Sequence, residues 1–182
     1  MKKGITRCFV IRISSLIRIS DFVIRHWIPV FMPDQQSASP DSLSGHVIIA
    51  GYGIVGRCVA ETLVARKIPF CIVELNPATV SRLEHGAVPI IEGDIRDEAI
   101  LRQAGLDRAS ALALAMPDET QALEALKVAR SLRPDVNVIV RCTFSSAGMQ
   151  AAHLGAVGVV VAEQVVAREF SKSLEKALTS PK

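Results

Sequence analysis

A short apolar run, His46-Val47-Ile48-Ile49-Ala50, passes directly into Gly51-Tyr52-Gly53-Ile54-Val55-Gly56, and no other feature narrows the possible folds as far. The order strand, glycine loop, helix is what a phosphate-binding βα turn requires. Gly51 permits the tight turn, Gly53 lets backbone approach a phosphate, and Gly56 allows helix and strand to pack closely. The helix N-terminus then offers unpaired N–H groups and a positive dipole end to an anion. Its inner side is expected to carry Val55, Val59, Leu63 and the Ala60/Val64 pair. Taken alone the glycine pattern is weakly specific, because glycine-rich turns are common. Here a strand precedes it, a helix follows, and an acid stands at the correct distance: the second apolar run, Pro69–Val73, ends in Glu74, 23 residues after Gly51. A carboxylate there can accept both hydroxyls of an adenosine ribose and disfavours a 2′-phosphate. The competing reading of Glu74 is an ordinary solvated acid at a strand end.

The alternation continues. Pro77 suits the first turn of a helix running to His85, which Gly86 closes. Ala87–Ile91 reads as a third strand followed by Glu92-Gly93-Asp94, and a helix near Asp97–Ala104 precedes a fourth strand, Ala109–Ala115. Met116-Pro117-Asp118 forms a turn, with Asp118 capping a long helix through Ser131. Val136–Cys142, a helix at Ser145–Leu154, a short strand Val157–Val161 and a last helix over 163–178 complete the order. Six strands in this succession specify an α/β doubly wound (Rossmann) parallel sheet with helices on both faces. The ligand crevice of such a sheet lies at the carboxyl ends of its strands, where Glu74, Asp94, Met116 and Arg141 all fall.

Residues 1–45 differ from this body, which occupies 46–178. Arg7, Arg12, Arg18 and Arg25 interrupt every apolar stretch of a crude repeat (Phe9–Ser14, Ser15–Ser20, Asp21–His26). No stretch reaches the roughly 18 residues of a spanning helix, and the same breaks disrupt a secretory h-region. Two readings stand: a basic helix on an acidic membrane surface, or a poorly ordered extension translated upstream of a start at Met32. Residues 33–45, rich in Pro, Ser and Gly, read as a linker. Residues 1–44 carry six Lys/Arg against three Asp, the whole net charge of +3, so the remainder balances fifteen of each sign. A neutral body gives no electrostatic reason to expect nucleic-acid binding. Cys8, Cys58, Cys71 and Cys142 form no CxxC, and the last three sit in apolar runs as small buried hydrophobes do, which suggests a reduced, cytosolic setting.

Beyond the glycine loop, the chain resembles the TrkA-N domain, the N-terminal domain of regulators of K+ conductance. The residues that carry the resemblance are Glu74-Leu75-Asn76, Gly93-Asp94 followed by Asp97-Glu98 and Leu101, and Ala115-Met116-Pro117-Asp118-Glu119. Val138-Ile139-Val140-Arg141 and Leu154-Gly155-Ala156 with Val159-Val160 extend it over about 46–170. The resemblance implies a domain that binds NAD(H) or an adenine nucleotide (AMP, ADP or ATP) and forms a homodimer or larger ring. It would gate a membrane K+ channel, transporter or antiporter from the cytoplasmic face. Carried over by position, Gly51, Tyr52, Gly53, Ile54, Val55 and Gly56 form the phosphate loop, and Glu74 with Asn76 takes the ribose side. Gly93, Asp94 and Ile95 flank the adenine, Met116 and Pro117 line the far side, and Arg141 reaches a phosphate or the partner subunit. The chain departs from the family at Ile54, where many members have a basic residue, and at Val157, where an acid often follows the Gly-Ala pair. It ends at Lys182 without the family's second ligand-binding domain, as expected of a stand-alone module acting with something else.

Two rival functions are an NAD-dependent oxidoreductase and an assembly module without ligand. Hydride transfer needs a positioned acid/base beside the nicotinamide. The only tyrosine, Tyr52, lies inside the glycine loop, no YxxxK occurs, and His46, His85 and His153 read as structural or solvated. No Ser/His/Asp grouping or metal-ligand spacing appears, so no catalysis and no metal are expected. The last helix carries Val165, Val166, Phe170 and Leu174, a stripe for either core packing or a dimer interface.

Overall fold

The computed structural model describes residues 42–83 and 88–179. The expected extension through residue 41, and the helix end at His85-Gly86, lie outside them. From Val47 the chain alternates strands and helices: β1 Val47–Ala50, α1 Ile54–Ala65, β2 Phe70–Glu74, α2 Pro77–Leu83, β3 Ile90–Glu92, α3 Glu98–Gln103. There follow β4 Ala111–Leu114, α4 Glu119–Leu132, β5 Asn137–Cys142, α5 Ser145–His153, β6 Gly158–Val161 and α6 Ala162–Thr179. The strands make one six-stranded sheet in the order β3-β2-β1-β4-β5-β6, with every pair parallel. This is the expected doubly wound sheet, and the order reverses between β1 and β4.

Burial explains the strand sequences. Phe70, Cys71, Ile72 and Val73 of β2 are all buried, because helices cover both faces of the sheet there. On one face Ile49, Phe70 and Ile72 pack with Ala60 and Leu63 of α1 and with Tyr52. On the other, Ile48, Val73, Leu112, Leu114, Val138 and Val140 pack under α3, α4 and α5. Helix α4 contributes Ala122, Ala125, Leu126 and Ala129, all fully buried, so small residues bring the helix close to the sheet.

Two details depart from the sequence reading. The inner residues of α1 are Gly56, Ala60 and Leu63, with Val59 and Val64 half-buried, while Val55 is exposed at the helix start. Cys58 is exposed rather than buried: at about 100° per residue it points roughly opposite Gly56. Cys71 and Cys142 are buried as expected, and burial pushes the Cys71 thiol up to about 12.

The far half of the sheet is covered on one face only. In β5, Val138, Val140 and Cys142 are buried while Asn137 and Ile139 are exposed, and Val160 of β6 is exposed on that same bare side. Helix α6, 18 residues long, buries none of its residues. Its stripe of Val165, Val166, Phe170, Leu174 and Leu178 stands in solvent, so the stripe does not pack on this chain's own core. Among the described residues no helix is long and apolar enough to cross a membrane.

Candidate functional site

The glycine loop is fixed by close approach. Gly51 has φ +88° and its α-carbon faces the Met116 backbone, where an added Cβ would lie 3.2 Å away. A Cβ on Gly56 would stand 2.0 Å from the Gly51 carbonyl oxygen, so only glycine lets α1 approach the turn. Gly53 differs, because a Cβ there would meet nothing within 4 Å. It is the N-cap of α1 with extended backbone, and no side chain caps the helix. The first turn of α1 therefore presents uncapped N–H groups to open space, the arrangement that receives an anion.

Glu74 closes the other side. Its Oε2 accepts from the Tyr52 N–H at 2.7 Å and its Oε1 from the Asn76 N–H at 2.9 Å. One bond per oxygen holds the carboxylate across the turn and leaves each oxygen a further lone pair. Asn76 in turn accepts from the Ala78 N–H at the start of α2, and the Gly93 N–H donates to the Glu74 carbonyl at 3.1 Å. The ends of β1, β2 and β3 are thus tied together around a small open cleft of about 60 Å³. Gly51, Glu74, Gly93, Asp94, Ile95 and Met116, all expected from sequence, line it together with Val73, Leu75 and Gln121.

The remaining expected residues lie around this cleft rather than in it. The Tyr52 side chain is buried in the core, its ring under Arg57 with the guanidinium 5.8 Å from the centroid, and burial pushes its hydroxyl up. Only its backbone belongs to the loop. Ile54 is 85% exposed and forms, with Val55, an apolar lip at the helix start. Pro117 is exposed, and Arg141 stands on β5 with Nη1 donating to the Met116 carbonyl at 3.3 Å. Asp94 lines the cleft, yet both its oxygens are taken by Arg96, which also reaches Glu124 of α4. That guanidinium holds the Asp94 carboxyl below its usual range.

Gln121 is the residue that sequence reasoning missed. It is half-buried on the first turn of α4, lines the cleft, and its side-chain amide has no partner among the described residues. Its signal was its place, three residues after the Asp118 cap that follows β4, where a doubly wound sheet puts its crevice. A larger hollow of about 400 Å³ lies at the opposite ends of the strands, beside Arg102, Arg108 and Arg133. Two of its arginines serve the backbone, Arg133 donating to the Leu106 and Ala109 carbonyls and Arg108 to that of Leu43, while Arg102 pairs with Glu98 on its own helix. No cluster of potential metal ligands occurs among the described residues.

Known proteins are similar to this chain in sequence and fold. A protein assigned as the K(+) efflux antiporter KefB of Alkalimonas amylolytica is 32% identical over 155 residues, covering 84% of this chain and 23% of that protein. The crystal structure of the TrkA-N domain of inner membrane protein YbaL from Escherichia coli matches with a TM-score of 0.70 at 30% identity. It covers 73% of this chain and 98% of that domain. The Kef CTD of Shewanella denitrificans, in AMP-bound form, shares the fold at 24% identity and a TM-score of 0.66, over 74% of this chain and 82% of that one. The chain spans about a quarter of the length of the curated antiporter relatives it matches. The family model of the TrkA-N domain matches residues 47–167, from the first residue of β1 into α6, and the chain belongs to that family.

Proposed function

We propose that this chain is a nucleotide-sensing regulatory domain that controls K+ movement through a membrane channel or antiporter, from the cytoplasmic face and without catalysis. The observation that carries the reading is the Glu74 carboxylate, held by two backbone N–H groups beside a helix start with no cap of its own. Phosphate would sit on the α1 N-terminus over Gly53, where there is room. Ribose hydroxyls would take the spare lone pairs of Glu74, favouring NAD(H) or AMP, ADP and ATP over 2′-phosphorylated cofactors. Ile95 and Met116 would flank the base. Asp94 would contribute backbone there, since its carboxylate is committed to Arg96. Ile54 and Val55 would touch the phosphates through backbone alone, and Arg141 would reach a phosphate or a partner subunit. The bare β5–β6 face and the α6 stripe support a homodimer or larger ring. The core position of Tyr52 supports a role without proton transfer to a substrate.

The test is calorimetric titration of the full chain with NAD, NADH, AMP, ADP and ATP. Saturable binding by at least one of them is expected. Glu74→Ala weakens it by about 1–3 kcal/mol, the scale of a lost charge-assisted hydrogen bond. Absence of binding by all five overturns the reading and leaves an assembly module.

A further inference from the structure

Helix α5 begins without a side-chain cap of its own: Phe144 is its N-cap residue and offers no acceptor, so its first N–H groups need one from elsewhere. The turn just before them is held instead from the start of α4. Glu119, at the start of α4, places Oε2 at 2.8 Å from the Thr143 N–H and 3.2 Å from the Phe144 N–H. The turn so held is itself bonded to the start of α6. The Thr143 carbonyl accepts from the Glu163 N–H at 3.4 Å, and Ser145 Oγ accepts from Gln164 Nε2 at 2.9 Å.

The first turn of α4 therefore faces two ways. Met116 just before it and Gln121 within it line the nucleotide cleft, while Glu119 between them grips the β5–α5 turn. Arg141 adds a parallel tie from β5 to the Met116 carbonyl. The far end of this hydrogen-bonded series is the helix whose apolar stripe is uncovered.

We infer that Glu119 is a positioning residue that couples nucleotide occupancy of the cleft to the placement of α6, and so to pairing with a second copy of the chain. The inference rests on the function proposed above. A ligand that contacts Met116 and Gln121 shifts the α4 start relative to the sheet, and Glu119 carries that shift to the turn from which α6 departs. Such a role demands differential binding: the nucleotide must favour one placement of the turn over another. Thermodynamic linkage between the two sites is the physical criterion of such coupling.

The experiment measures the dimer dissociation constant of the full chain by analytical ultracentrifugation, with and without saturating AMP or NAD. In the unaltered protein, nucleotide shifts that constant by at least about fivefold, and raising the protein concentration shifts nucleotide affinity in the reciprocal sense. Glu119→Ala still dimerises and binds nucleotide within about threefold of the unaltered chain, while the shift shrinks below about twofold. Glu119→Gln keeps a side-chain oxygen as acceptor and restores most of it. A full shift in Glu119→Ala overturns the inference, as does no shift in an unaltered protein that both binds nucleotide and dimerises. Failure to bind any nucleotide, or to dimerise, instead removes the proposed function beneath it. Gln164→Ala, at an exposed position, keeps the test decisive where Glu119→Ala does not fold: it must also diminish the shift, and a full shift there overturns the inference.

Discussion

Gly53 separates binding from folding more cleanly than any other position. Its backbone is extended and a Cβ would meet open space, so a side chain fits. Aspartate is a preferred N-cap, and Gly53→Asp should raise stability by a few tenths of a kcal/mol. The same carboxylate occupies the place proposed for phosphate, so nucleotide binding should vanish; denaturant melts and calorimetry on one variant check both halves. Gly56→Ala should do the opposite. Its Cβ would stand 2.0 Å from the Gly51 carbonyl, and the forced separation of α1 from the turn should cost at least about 2 kcal/mol in chemical denaturation. His46, at the other end of β1, sets a pH limit. It is fully buried, Nε2 lies 2.8 Å from the Ala104 carbonyl, and Nδ1 has no partner. Burial pushes its pKa below 6.5; the Ala104 carbonyl opposes this, Arg108 reinforces it, and Asp107 opposes it. The folded state thus favours neutral imidazole, and its contribution is complete above about pH 6.5, the unfolded value, and declines as pH falls toward the lowered one. Unfolding free energy measured at pH 7.5, 6.5 and 5.5 should fall at the acid end, and His46→Gln, which does not titrate, should flatten that slope.

Among the elements, α4 brings Gln121 to the cleft, and Asp118 fixes its first turn by accepting from the Thr120 and Gln121 N–H groups. Asp118→Ala should cost about 1 kcal/mol of stability. It should also loosen Gln121 and weaken nucleotide binding, whereas Asp118→Asn, which retains a cap, should do neither; thermal melts and titration distinguish them. The elements most legible in the sequence were those buried on both faces, since β1 and β2 read as continuous apolar runs. Ends were less so. β3 was expected at Ala87–Ile91 and lies at Ile90–Glu92, because Pro89 has no N–H to give the ladder. β4, expected over Ala109–Ala115, pairs with β1 only from Ala111 to Leu114, the length of its four-residue partner. In the site, the glycine loop and Glu74 were legible because their spacing is set by covalent geometry along one βαβ unit. Gln121, and the grip of Glu119 on the β5–α5 turn, were not. Which of them meets the cleft depends on the rotation of α4, and that rotation is set by Ala122, Ala125, Leu126 and Ala129 packing on the sheet. The partners of Asp94 were hidden for the same reason: Arg96, two residues on, pairs with it and with Glu124 of a different helix only after folding.

For the molecule as a whole, the sheet is covered fully over β1 and β2 and on one face only over β5 and β6. Asn137-Val138-Ile139-Val140-Arg141 reads the same in sequence whether Ile139 is covered by the chain's own helix or by another copy. The fold leaves Ile139, Val160 and the α6 stripe in solvent. Pairing of two copies across a twofold axis would bury each exposed residue twice, so one substitution counts twice. Phe170, 73% exposed, is the largest side chain of the stripe. Full burial of such a side chain contributes about 1.5–3 kcal/mol, so Phe170→Asp should weaken a symmetric dimer by about 3–6 kcal/mol. That is roughly a hundredfold to a ten-thousandfold in dissociation constant. The fold should survive, since α6 buries none of its residues in the chain's own core. Sedimentation should therefore give a dimer for the unaltered chain and a monomer with the same circular dichroism for Phe170→Asp. Lys172→Ala, removing a cation paired on the helix surface with Glu169, should remain dimeric. Melting temperature should rise with protein concentration only where the dimer forms. A dimer of unchanged affinity in Phe170→Asp would move the interface off α6 and leave the bare β5–β6 face, with Ile139 and Val160, as the surface to alter next.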